Sequence, residues 1–282
     1  MEHLREKWVW ARQRWKWWTA KWRDPRTISA FEKVLVASLN NMENLRELHI
    51  KHVSPLPSHK QWNCLPLIRK CRLSSLAVLK FSGATILYTD PSVSDVFPLI
   101  RDHPLLEHLR LPKGYGNLPF LSTDIACLKS LDAMSTDARM ILPGRPVTTL
   151  VLRDTPSPPS ETWRDLGRST GPLTRISLPG SLDTSQLTSN LSVMADCLEH
   201  LESLSIGTLS FVGYDDVAAV LPAFTRLRDL EIHVKYPSQF RAPDVWDNLE
   251  LVCTGLRRFC IQRSVFPLLF EWPRFESIVS DG

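Results

Sequence analysis

The sequence predicts an α/β solenoid, a curved parallel sheet on a concave side and helices and loops on the convex side, with a separate N-terminal helix. Three observations predict it. The pattern L-x-x-L-x-L, with tolerant apolar substitutions, occurs nine times in 282 residues. Successive copies start 19 to 31 residues apart, room for the crossover that a parallel strand pair requires. None of the nine cores contains proline, although the chain holds 21; proline would remove a donor from the sheet ladder.

The copies begin at Leu45, Leu76, Leu106, Leu128, Val147, Leu173, Leu201, Leu227 and Leu256. In each, the last two apolar residues alternate with other residues and so point to one side of a short strand. The first apolar residue anchors the turn into that strand. One unit cannot bury its apolar side alone, so stacking of successive units makes the core. The intervening segments 28–41, 58–71, 183–197, 214–224 and 242–253 carry apolar residues at helical spacing. The short segments 111–128 and 133–147 are expected to be loops or 3₁₀ turns. Proline clusters such as Pro156-Ser157-Pro158-Pro159 mark the exit from a strand toward an outer helix.

These nine copies resemble a ribonuclease-inhibitor-like leucine-rich-repeat array. Their irregular lengths resemble the divergent fungal F-box/leucine-rich-repeat proteins, over roughly residues 28–282. The position eight residues after each first leucine, often Asn or Cys in that family, holds neither here, and no F-box is visible. The resemblance implies a noncatalytic protein–protein interaction module related to ubiquitin-ligase substrate receptors. Its implied partners are a protein on the concave face and a cullin-ligase adaptor.

Composition narrows the function classes. The net charge is +4, but residues 1–26 hold eight Lys/Arg against three acids, so the remaining 256 residues are close to neutral at −1. A nucleic-acid footprint spread over the whole domain is therefore not expected. Six cysteines without a C-x-x-C pair read as mostly buried thiols in a reducing compartment, neither a disulfide scaffold nor a zinc site. No run of 18 apolar residues and no secretory leader pattern is present, so the expected location is intracellular, cytoplasmic or nuclear. The sequon Asn190-Leu191-Ser192 then reads as an ordinary helix or loop segment.

Residues 1–26 form one predicted unit and residues 27–282 the repeat array. The first unit is an amphipathic helix with six of the chain's ten tryptophans. Trp8, Trp15, Trp18 and Trp22 share one face with Leu4 and Ala11. Three readings stay open for it: a cap over the first repeat, a docking helix for a partner groove, or attachment to an anionic membrane surface or nucleic acid.

Strand alternation also predicts the binding face. One outward column runs Glu47, Val78, His108, Ser130, Thr149, Arg175, Ser203, Asp229, Arg258. The next runs His49, Lys80, Arg110, Asp132, Val151, Ser177, Ser205, Glu231, Cys260, with Lys51 and Arg153 in the column after it. The expected contact residues are His49, Lys51, Lys80, His108, Arg110, Arg153, Arg175, Asp229, Glu231 and Arg258. The first half of this face reads as basic, with an acidic patch near the eighth strand. No nucleotide-binding, hydrolase-elbow or zinc-protease motif occurs, and neither a cofactor nor a small-molecule substrate is expected. An alternative from another class is a thiol-dependent enzyme at Cys260, with Glu231 beside it and His233 diagonal to it.

Overall fold

The computed structural model describes residues 25–51, 68–82, 93–111, 123–154, 159–179, 184–209, 218–234 and 255–263. Among them, nine strands form a single sheet whose spatial order is the chain order. They are β1 (Glu47–Lys51), β2 (Val78–Ser82), β3 (His108–Arg110), β4 (Ser130–Ala133), β5 (Thr149–Leu152), β6 (Arg175–Leu178), β7 (Ser203–Leu209), β8 (Asp229–Val234) and β9 (Arg258–Arg263). Every neighbouring pair is parallel. The result is a mixed α/β fold with one all-parallel sheet, an arrangement compatible with a solenoid.

One hydrogen-bond device recurs at each junction. A single carbonyl just before a strand accepts from two successive N–H groups of the next unit. Arg46 O takes Ala77 N and Val78 N at 2.9 and 2.8 Å, Thr148 O takes Thr174 N and Arg175 N at 3.0 and 3.1 Å, and Arg228 O takes Arg257 N and Arg258 N at 2.7 and 2.9 Å. This satisfies the backbone at the point where the chain enters the sheet.

The alternation of the sequence becomes two ladders of opposite character. Leu79, Leu109, Leu131, Leu150, Ile176, Leu204 and Leu230 stack across the sheet at 0–2% exposure. Leu48, at the first strand, is only half-buried. Each such burial contributes about 1.5–3 kcal/mol relative to an exposed side chain. A second buried row, from Phe81 through Leu111, Leu152 and Ile206 to Ile232, lies parallel to it in the same core.

The turns into the strands use the apolar residue three positions before the first leucine. Leu76 N–H donates to Leu73 O at 3.0 Å, Leu128 N–H to Ile125 O at 3.1 Å, and Leu227 N–H to Phe224 O at 3.1 Å. Ile125 holds φ at 48°, a region that β-branched residues avoid, and it is fully buried; packing of the side chain offsets the backbone cost. In the third unit the same place is taken by His103, which is 8% exposed and donates no bond from Nε2.

The helices share the core with the buried ladders. They are α1 (Pro25–Asn40), α2 (Val93–Arg101), α3 (Ser135–Ile141), α4 (Pro159–Leu166) and α5 (Thr184–Cys197). α1 carries proline at its first position, where a missing N–H costs nothing. α1 and α5 match the helical segments expected at 28–41 and 183–197 to within a few residues. The expected helix at 214–224 is described only from residue 218, where a short helical turn passes into a 3₁₀ turn, Leu221–Ala223. Of the helix expected at 58–71, only its end from Ile68 is described, and the segment 242–253 lies outside the described residues.

Three features differ from expectation. The segment 133–147 is not a loop, because it contains the helix α3. The Asp154 carboxylate, just past β5, accepts from Ser135 N and Ser135 Oγ at 2.6 and 2.7 Å. That cross-unit cap stabilises a helix start that has no side-chain cap from its own N-cap residue, Met134. α2 also lies outside the segments with expected helical spacing, whereas α4 begins at the end of the proline cluster that marks the path toward an outer helix. Pro159 opens α4, and Pro98 is tolerated inside α2 because Val96, Leu99 and Ile100 bury that turn completely. Finally, the four described thiols are not mostly buried: Cys71 is buried and Cys197 partly so, but Cys127 and Cys260 are exposed.

The outer layer is cross-linked between units. Arg139 on α3 donates from Nε and Nη2 to Asp165 Oδ2 on α4 at 3.0 and 2.7 Å. Trp163 Nε1 on α4 donates to Asn190 Oδ1 on α5 at 2.8 Å, both side chains being buried, and Asn190 Nδ2 donates to Gln186 O at 2.7 Å. The sequon asparagine is thus a core hydrogen-bonding residue within a helix. Arg145, at 1% exposure, donates to backbone carbonyls of Asp124, Ile141 and Pro143, and burial lowers its pKa. Among the described residues, no helix is long and apolar enough to cross a membrane.

Candidate interaction face

The residues alternating with the buried ladders form two columns on the other side of the sheet. The register runs His49, Lys80, Arg110, Asp132, Val151, Ser177, Ser205, Glu231, Cys260 across successive strands. The companion column runs Glu47, Val78, His108, Ser130, Thr149, Arg175, Ser203, Asp229, Arg258 in the same pairings. Both columns are those expected from alternation. Their side chains are exposed or half-buried throughout. Lys51 pairs in register with Ser82, and its side chain lies outside the described residues. So do Trp8, Trp15, Trp18 and Trp22, together with the rest of residues 1–24.

What alternation could not supply is how these charges pair. At the first end, Glu47 Oε1 accepts from Lys80 Nζ at 2.9 Å and from His49 Nε2 at 2.8 Å. Lys80, and then His49, holds the Glu47 carboxyl below its ordinary value. At the other end, Arg258 grips Asp229 with two parallel bonds, Nε to Oδ1 at 2.6 Å and Nη2 to Oδ2 at 2.7 Å. This fork-to-carboxylate geometry lowers the Asp229 pKa and raises that of Arg258. Of the acidic patch expected near the eighth strand, Asp229 is therefore neutralised by the ninth. Beside it, His233 Nε2 lies 3.5 Å from Glu231 Oε1.

The middle of the sheet differs. Asp132 is the acid of this stretch, and two arginines share it: Arg153 Nε at 2.6 Å from Oδ1 and Arg110 Nε at 3.1 Å from Oδ2. Arg153 was expected to face out freely. Instead its side chain is only 15% exposed, folded onto Asp132, and its Nη2 is buried with no hydrogen-bond partner. Arg175 and His108 are exposed. Around them the floor is small: Ser130, Thr149, Val151, Ser177, Ser203 and Ser205.

The Cys260 alternative gains its pairing and little more. Cys260 lies opposite Glu231 in the register and is exposed. A nucleophile needs a base in reach and donors aimed at a developing oxyanion; the His233 ring contacts the Glu231 carboxylate at 3.5 Å, an orientation that directs that nitrogen to Glu231.

A second row, one residue before each strand's first outward position, was not singled out from sequence. It carries a rim ion pair, Lys129 Nζ to Glu107 Oε1 at 3.0 Å, which lowers the Glu107 pKa. Two positions before that row, in later units, Arg226 Nη1 meets His200 Nδ1 at 3.0 Å. The signal for both was present once the register was known, because Glu107–Lys129 and His200–Arg226 occupy matching places in adjacent copies. No protein-family model matches the chain, and no curated protein matches its sequence.

Proposed function

We propose that the chain is a leucine-rich-repeat scaffold that works by binding, without catalysis, and that the outward columns of its parallel sheet dock another protein. The observation that carries this reading is the continuity of the face. Nine strands in unbroken chain order present two mostly polar columns, with the leucine and isoleucine ladders on the other side. A broad face whose side chains vary while its backbone repeats suits recognition of a macromolecule, as stacked repeats do in general. The finer part of the proposal is a substrate-receptor role with a cullin-ligase adaptor as second partner. It rests on the resemblance of the repeat pattern alone.

Quantitative affinity capture from a eukaryotic lysate tests both parts. Three versions run in parallel: the intact chain, the chain lacking residues 1–26, and Ser177→Trp with Ser205→Trp, which fills the floor of the face. Loss of captured proteins in the tryptophan variant, with its fold intact by circular dichroism, supports the docking face; an unchanged set overturns it. A cullin-ligase adaptor retained by the intact chain supports the receptor role. Its absence from every version removes that role and leaves the docking scaffold.

A further inference from the structure

The charge on the outward face is balanced at the ends and unbalanced in the middle. Lys80 is matched by Glu47, and Arg258 by Asp229. From β3 to β6, however, Arg110, Arg153 and Arg175 stand against Asp132 alone among the described side chains of the face. Asp132 already accepts from two of the three. Arg153 keeps a buried Nη2 without an acceptor. Arg175 makes no ion pair among the described residues; its charge reaches Asp229, which Arg258 already holds.

The floor around these arginines matters as much as the charge. Ser130, Thr149, Val151 and Ser177 occupy outward positions between them, so a chain laid over β4–β6 meets small side chains between the arginines. A guanidinium with a free edge above such a floor donates two parallel bonds to a carboxylate and loses little conformational freedom in doing so.

We propose that the β3–β6 portion of this face binds an acidic protein segment, a stretch rich in Asp or Glu that supplies acceptors to Arg110 and Arg175, the exposed arginines of this stretch. The proposal rests on the docking-face reading above and adds the chemistry of the partner. Paired charges at both ends of the sheet would confine such a segment to the middle, since Lys80 and Arg258 already have carboxylates in place.

The test is fluorescence anisotropy with the full chain and two labelled peptides, one rich in Asp and Glu and its Asn/Gln isostere. The acidic peptide should bind, more weakly as salt rises, and the isostere on the order of tenfold more weakly or not at all. Arg110→Glu with Arg175→Glu should reduce acidic-peptide affinity on the order of tenfold or more. Lys33→Glu with Arg164→Glu changes the net charge equally on α1 and α4, away from the face, and should leave affinity nearly unchanged. Equal binding of both peptides, or equal losses in the two charge-reversal variants, would overturn the proposal. Failure here is distinguishable from failure of the docking face. If the acidic peptide does not bind while the Ser177→Trp, Ser205→Trp variant still loses its captured proteins, the face stands and only the acidic partner falls.

Discussion

Leu204 and Ser205 are neighbours on β7, yet they belong to regions governed by different physics. Leu204 is 1% exposed in the ladder behind the sheet, and Ser205 is half-buried on the outward face. The buried ladder is uniform: leucine or isoleucine at every described step from β2 to β8, because each must fill a space bounded by identical neighbours. The outward ladder runs through lysine, arginine, aspartate, valine, serine and glutamate without disturbing the register. Stability is concentrated on one side of the sheet, and the freedom to specify a partner on the other.

The largest effect should come from breaking the buried side. Leu204→Ala should cost about 2–5 kcal/mol, because a fully enclosed site cannot collapse around the lost methyl groups. Ser205→Ala, one residue along, should stay within about 0.5 kcal/mol. Denaturant melts of the two variants measure the contrast, and comparable losses would show that the outward face also bears the fold. A smaller effect should come from the polar link in the outer layer. Asn190→Leu leaves the buried Trp163 Nε1–H without its acceptor, a cost of about 1–3 kcal/mol. Adding Trp163→Phe should recover part of that loss, since no donor is then stranded; a double variant whose losses simply add would argue against the bond as the cause.

The smallest and most diagnostic effect should be in pH. Burial lowers the pKa of His103, opposed by the charge and backbone of Asp102. Above the ordinary imidazole value near 6.5, His103 is neutral in the folded and unfolded chains alike, and its contribution is flat. As the pH falls below that value the unfolded chain takes up a proton that the folded chain resists. Stability therefore drops until the pH has passed the depressed folded value. Glu47 and Asp229 titrate lower: their folded values are depressed, so their contributions are full above the ordinary carboxylate values and vanish as the pH falls through the folded ones. His103→Leu should flatten the stability profile between roughly pH 7 and 5, leaving the acid limb intact. An unchanged slope in that interval would assign it to other histidines.

Particular residues show how far the sequence could be read. The apolar triplets placed all nine strands and both outward columns, down to the pairing of Glu231 with Cys260. They could do so because alternation is a local property and identical copies stack in only one register without exposing leucines. Helix α3 escaped the reading because its start is capped by Asp154, from the next unit, a partner invisible in the segment itself. Helix α2 lies outside the segments the sequence marks as helical, because Pro98 interrupts its pattern and the burial of Val96, Leu99 and Ile100 that holds it is tertiary. In the candidate site, the identities of the charged residues were legible and their pairing was not. Arg153 turned onto Asp132, and Asp229 on β8 met Arg258.

By itself, then, the sequence determined the period, the strands, the side of the sheet that each residue takes, and the near-neutral charge of the repeat region. Only the tertiary structure decided which outward charges cancel. Alternation is set by backbone geometry within a few residues, whereas an ion pair depends on side chains brought within about 3 Å from units some 20 to 30 residues apart, and on which acceptor each long arginine can reach once its neighbours are packed.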